Sequence, residues 1–312
     1  MELEVIARVR TAYPTKFGVP RQPGLVDALP ATVEFEPDYR SADAVRGLEL
    51  FDYVWLIWGF SHNERGAEPG RGPVSADGMA GGVIPARRAW SPTVRPPILG
   101  GTVRQGVFAT RSSFRPNGLA LSSVRLVEVE ADASYRDGSR GPVLHVRGAD
   151  MVDGTPVFDV KPYLADTDSH PEARLGWKQG VRWPEIERVV VPPAEMAKVP
   201  DELREGLVQM LRQDPRPAYT RHGQEGREFW VPLGSEPGSA VAVYFVVGSV
   251  VGAVGSPDGT PDAEGGTFAG PATGDPEPAA GPEPGVVQEL RVTRVEVLSD
   301  AQLVRLRETG SL

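Results

Sequence analysis

Through the first 165 residues, apolar and polar positions alternate in short runs with a period of two. "ELEVIARV" places Leu3, Val5, Ala7 and Val9 on one face, and "LALSSVRLVEVEA" places Leu119, Leu121, Ser123, Arg125, Val127 and Val129 on one face. "PVLHVRGAD" and "TPVFDV" keep the same period, so each of these stretches predicts a half-buried strand. "DYVWLIWGF" is almost continuously apolar and predicts a strand buried on both faces. Short strands joined by Gly/Pro turns predict a mainly β fold, a barrel or a sandwich rather than a doubly wound sheet.

The pattern changes after about residue 170. "DELREGLVQMLRQ" spaces Leu203, Leu207, Met210 and Leu211 as one helical face, with Pro200 suited to the first turn. "GREFWVPL", "SAVAVYFVVG" and "VVQELRVTRVEVL" predict strands, and Ser299 with Gln302 predicts a capping box on a short last helix. Residues 1–170 are therefore expected to form a β domain and residues 171–312 a small α+β domain. Two Gly/Pro-rich stretches interrupt the pattern. Residues 65–92 predict a long loop, and residues 255–285, acidic and nearly without aromatics, predict a disordered insertion.

Composition narrows the chemistry. The chain has no cysteine, which excludes disulfides, thiolate catalysis and Cys-type zinc sites and is compatible with the cytoplasm. Its four histidines are scattered without metal-ligand spacing, so no metal is expected. The N-terminus is too charged for a signal peptide, and no apolar run is long enough to span a membrane. A net charge of −9 argues against a protein that coats DNA, yet it leaves room for a nucleic acid held at a local basic patch. Glycine-rich dinucleotide and P-loop motifs, zincin helices and the nucleophile elbow are all missing.

The candidate chemistry sits in five stretches. "GVFATRSSFRPNGLALSSVRL" places Arg111, Arg115 and Asn117 in a loop between strand-like halves. Arg95 and Arg104 lie shortly before it. "KFGVPRQPGLV" holds Arg21 and Gln22 between Pro20 and Pro23, which stiffen the backbone that presents them. Ser61, His62 and Asn63 end the apolar strand as emerging polar groups. "GADMVDGTPVFDVKPYLADTDS" supplies Asp150, Asp153, Asp159 and Lys161, with Asp153-Gly154 as a turn. Arginines, amides and carboxylates without a nucleophile or metal suit transfer chemistry in which a cosubstrate brings the reactive group.

"PRQPGL", "ADAVRGLELFDYVWLIWGF", "VRPPILGG", "GVFATRSSFRPN", "DMVDGTPVFDVKPYLADTDS" and "QDPRPAY" occur in one order along the chain. Together they resemble the TsaA-like (TrmO) family of tRNA methyltransferases. The resemblance implies an N-terminal β-barrel methyltransferase domain with a small C-terminal domain, usually as a homodimer. It implies S-adenosyl-L-methionine as cosubstrate and N6 of N6-threonylcarbamoyladenosine, next to the tRNA anticodon, as acceptor. The implied cofactor site is Pro20, Arg21, Gln22, Pro23, Gly24 and Leu25, then His62 and Asn63, Arg111, Leu121, and Gly148, Ala149, Asp150 and Met151. Arg95, Arg104, Arg115, Asn117 and Lys161 would then meet RNA, and His62 or Asp153 could serve as general base. The chain departs from the family pattern with Ser61 between Phe60 and His62, and with Gly118-Leu119-Ala120 after "FRPN". A non-catalytic sensor with the same barrel, or a methyltransferase with another acceptor, are the alternative readings.

Overall fold

A computed structural model of the chain describes residues 3–60, 91–99, 103–181, 185–216, 224, 226–251 and 286–310. Ser61, His62, Asn63, almost all of the 65–92 loop and the 255–285 insertion lie outside the described residues. The strands in the first half are β1 (Ala7–Arg10), β2 (Pro30–Phe35), β3 (Tyr53–Gly59), β4 (Thr93–Val94), β5 (Gln105–Gly106), β6 (Leu119–Ser134), β7 (Arg140–Arg147) and β8 (Thr155–Pro162). There follow α1 (Ala165–Asp168), β9 (Arg188–Val190), α2 (Pro193–Met196), α3 (Asp201–Arg212), β10 (Glu228–Leu233), β11 (Val241–Val251), β12 (Val286–Val297) and α4 (Asp300–Thr309).

Six strands close a barrel in the order β1-β2-β7-β6-β3-β8, and β1 pairs back onto β8 with Val9 opposite Thr155. Every pair in the barrel is antiparallel, so one set of side chains fills the interior and the alternate set faces out. Val9, Val33, Val54, Leu56, Leu144, Val146 and Val157 fill that interior. In β6 the inward set is Ser122, Val124 and Leu126, while Leu121 and Val127 are exposed. β3 differs from its expected burial on both faces. Val54, Leu56 and Trp58 point in, but Tyr53 is exposed and Trp55 and Ile57 are only half-buried. Their apolar character has another cause, because Trp55 and Ile57 wall the cavity described below.

The second half is a four-stranded sheet in the order β10-β11-β12-β9, with β9 added parallel to β12. The helix predicted over 201–213 is present, and it buries Leu203, Leu207, Met210 and Leu211 on Val231, Val243, Phe245 and Leu290. Helix α4 carries the expected capping box, in which Ser299 and Gln302 satisfy each other's backbone N–H, and buries Leu303 and Leu306. No helix among the described residues is long and apolar enough to cross a membrane.

The two cores share a segment. The connection between β1 and β2 leaves the barrel and buries Ala12, Tyr13, Val26 and Leu29 in the core under α3. Phe17 and Val19 pack against the same core. Contact is closest at Gly206 in α3, where a Cβ would lie 2.2 Å from Leu29 Cγ and Cδ2. A Gly206→Ala change gains about 1 kcal/mol of helix propensity but forces a repacking worth about 1–3 kcal/mol. We expect a net loss of stability in chemical denaturation, where an ordinary mid-helix glycine would show a gain.

Candidate active site

The ends of β1, β3 and β7 and the starts of β2, β6 and β8 meet at one mouth of the barrel. There the β1–β2 connection, the 107–118 segment and the β7–β8 turn enclose a cavity of about 660 Å³. Trp55, Ile57, Trp58, Phe60, Leu119 and Leu121 give it apolar walls, and Lys16, Arg21, Arg111 and Arg115 give it cations. Asp150 supplies a half-buried carboxylate.

Each wall is held by bonds that explain its motif. Arg21 Nη1 donates to Gln213 O at 2.6 Å and Nη2 to Asp214 O at 3.0 Å. These carbonyls follow the last turn of α3, where a cation is favoured by the helix dipole and by the acceptors left over at a helix end. Burial lowers the Arg21 pKa from its ordinary value, and Asp214 opposes that shift. Asp214 in turn takes a bidentate, buried pair from Arg216 at 2.8 and 3.0 Å. Thus "DPRP" and "PRQ", distant in sequence, form one joint.

Gln22 carries the next link, for its Oε1 accepts from Arg111 Nη1 at 2.6 Å across the cavity mouth. Behind it, Gly24 N–H donates to Gly148 O at 2.9 Å. Gly148 has φ +74°, and a Cβ there would sit 3.0 Å from the Gly24 backbone, so a side chain would part the two loops.

At the foot of the cavity Trp58 Nε1 donates to Ser122 Oγ at 3.0 Å, and Ser122 Oγ donates to Asp150 Oδ1 at 2.6 Å. Burial raises the Asp150 carboxyl to about 6, opposed mainly by the Ser122 bond and more weakly by Arg111. Asp153 faces elsewhere. Its Oδ1 accepts from Thr11 N–H at 3.2 Å and its Oδ2 from Arg307 at 3.0 Å, which ties the turn to α4.

Of the residues singled out in the sequence, Pro20, Arg21, Gln22, Pro23, Arg111, Arg115, Leu121, Asp150 and Met151 line this one cavity. Gly24 and Gly148 clasp behind it, Ala149 is buried in the barrel core and Leu25 is exposed. Arg115 lines the cavity and also donates to Thr110 O and Ser112 O of its own loop. Arg95 and Asn117 are exposed outside the cavity. Arg104 bonds Thr93 across the β4–β5 ladder, and Lys161 lies 3.6 Å from Asp159. Lys16, Trp55, Ile57, Trp58, Phe60 and Ser122 were not singled out. The signal available for Ser122 was a hydroxyl on an otherwise apolar set with Val124 and Leu126.

A closed β-barrel whose mouth gathers arginines, a carboxylate and apolar walls defines a small-molecule site. Residues 8–169 match the model of the tRNA-methyltransferase O N-terminal domain. The chain is 39% identical over 239 residues to the Escherichia coli tRNA (adenine(37)-N6)-methyltransferase, covering 74% of this chain and 89% of that one. It is 30% identical over 171 residues to a Methanothermobacter thermautotrophicus protein named "Probable S-adenosyl-L-methionine-binding protein", covering 54% and 96%. The crystal structure of TrmO from Pseudomonas aeruginosa superposes with a TM-score of 0.56 at 25% identity, covering 95% of this chain and 98% of that one. The chain belongs to the tRNA-methyltransferase O family.

The two cavity arginines differ in what they support. Arg21→Ala removes two bonds from a charged donor to buried carbonyls, worth about 1.5–3 kcal/mol, and should lower the melting temperature. Arg111→Ala removes one exposed bond and should change stability by no more than about 0.5 kcal/mol. Thermal unfolding of the two variants checks the contrast.

Proposed function

We propose that this protein transfers a methyl group from S-adenosyl-L-methionine to N6 of threonylcarbamoyladenosine beside the tRNA anticodon. The observation that carries the reading is the convergence of "PRQ", "ATR" and "GADM" on one cavity in a chain of this family. The residues present suit the cofactor. Arg111 offers a charged donor for its amino-acid carboxylate, and Trp55, Ile57 and Leu121 offer apolar surface for its adenine. Backbone of the 20–25 and 148–151 stretches supplies amide partners at fixed positions. When bound, the cofactor supplies an electrophilic methyl on a sulfonium.

The chain's own work is binding and orientation. Gln22 fixes the Arg111 guanidinium at the mouth, so that the cation is placed before a ligand arrives. Exposed Arg95, Asn117 and Lys161, with Arg104 nearby, suit contact with phosphates and with an unstacked base. Because the chain as a whole carries a net charge of −9, RNA contact is confined to such local groups of cations.

Nucleoside mass spectrometry tests the reading. Protein and S-adenosyl-L-methionine are incubated with tRNA carrying threonylcarbamoyladenosine and with the same tRNA lacking it. Gain of one methyl group only on the modified nucleoside is expected. Transfer to another acceptor, or cofactor binding without any transfer, would replace this reading with one of the two alternatives. Arg111→Ala should bind the cofactor about 10- to 100-fold more weakly, the equivalent of a lost charge-assisted bond, in calorimetry.

A further inference from the structure

The function proposed above draws on the backbone of residues 148–151 and leaves the linked side chains Trp58–Ser122–Asp150 without a task. An indole nitrogen only donates, so its bond to Ser122 Oγ leaves the hydroxyl proton for Asp150 Oδ1. Trp58 and Ser122 are both buried in the barrel wall, which fixes that direction. Asp150 therefore meets the cavity as an acceptor, with Oδ1 engaged by Ser122, its own backbone N–H also bonding the carboxylate, and Oδ2 the oxygen that Ser122 leaves for a proton. Among the described lining residues it is the single carboxylate, and none of them is a histidine, glutamate or cysteine. Asp153, in the same turn, points both oxygens to Thr11 and Arg307.

The N6 acceptor sits in a urea-like group and carries one proton that methylation must remove. Resting on the function proposed above, we propose that the Asp150 carboxylate is the general base that takes this proton. Ser122 and Trp58 are the positioning residues that keep it ionised and aimed. N6 bonds the methyl carbon while the carbon–sulfur electron pair stays on sulfur as a neutral thioether. The N6–H pair returns to nitrogen as its lone pair, and the proton passes to Asp150 Oδ2 and later to solvent. Arg111 from the 107–118 segment acts on this carboxylate, whose charge in turn helps burial to raise the Tyr13 hydroxyl in the β1–β2 connection; Lys16 and Arg21 lie on the same cavity wall. A base in this range is ionised at neutral pH and still able to accept.

The test compares full-length wild type, Asp150→Asn, Ser122→Ala and His62→Ala. Methyl transfer to the modified tRNA is followed against pH, and calorimetry follows S-adenosylmethionine and S-adenosylhomocysteine. Wild-type kcat/KM should fall on the acid side with a midpoint at about 6, as the carboxylate protonates. Asp150→Asn should lose roughly 10²–10⁴-fold in kcat together with that acid limb, with both ligands bound as before. Ser122→Ala should keep the limb but move it to higher pH, because a bond favouring the ionised form is gone. A variant Asp150→Asn that keeps kcat but binds the sulfonium ligand selectively more weakly would overturn the proposal. So would an acid limb that survives Asp150→Asn and vanishes in His62→Ala. Wild type that binds cofactor but methylates nothing sinks the proposed function and this base with it. An active wild type matched by an equally active Asp150→Asn sinks the base alone.

Discussion

The structure depends on one divided loyalty, that of the connection between β1 and β2. Its two ends are barrel strands, its middle is buried in the core beneath α3, and its Pro20–Pro23 stretch walls the cavity. Burying Tyr13, Val26 and Leu29 gives the large apolar gain that fixes the segment, at roughly 1.5–3 kcal/mol for each fully buried large side chain. Directional bonds from Arg21 to the end of α3 then set the angle at which the stretch meets the cavity. Apolar burial supplies strength here, and the helix-end carbonyls supply position.

A second constraint is the placement of polar groups inside a barrel. A buried hydroxyl and a half-buried carboxylate are costly unless each finds a partner. Ser122 meets that demand by standing between Trp58 and Asp150, and the pairing register of β3 with β6, Trp58 opposite Ala120, brings the indole within reach. The arrangement makes the mouth of the barrel rigid where Arg111, held through Gln22, reaches across an exposed rim. One side of the cavity is built by packing, and the other is built by charge.

Much of this was legible in the sequence, and the parts that were not share a cause. Strands with strict alternation and helix α3 could be read because burial on one face leaves a periodic trace. β2 was missed although Ala31, Val33 and Phe35 alternate, because Pro30 and the short span muted the signal. β9, of three residues, gains its strand character only by pairing with β12. Trp55 and Ile57 looked like core residues, since a cavity wall and a core call for the same apolar side chains. The site motifs gave up their positions but not their bonds. Nothing local to Arg21 announces that its partners are the carbonyls of residues 213 and 214.

The shared segment also orders events during synthesis. The barrel can close once β8 has emerged, because β1 pairs with residues 155–157. The core that receives residues 12–29 needs α3, β11 and finally β12 at residues 286–297. Near the ribosome the chain thus carries a barrel-forming half whose β1–β2 connection has no complete core to enter until β12 is made, and such contacts, distant along the chain, form slowly. The stretch that walls the cavity is translated well before the strand that completes the core holding it, and it is locked in place only when that strand arrives.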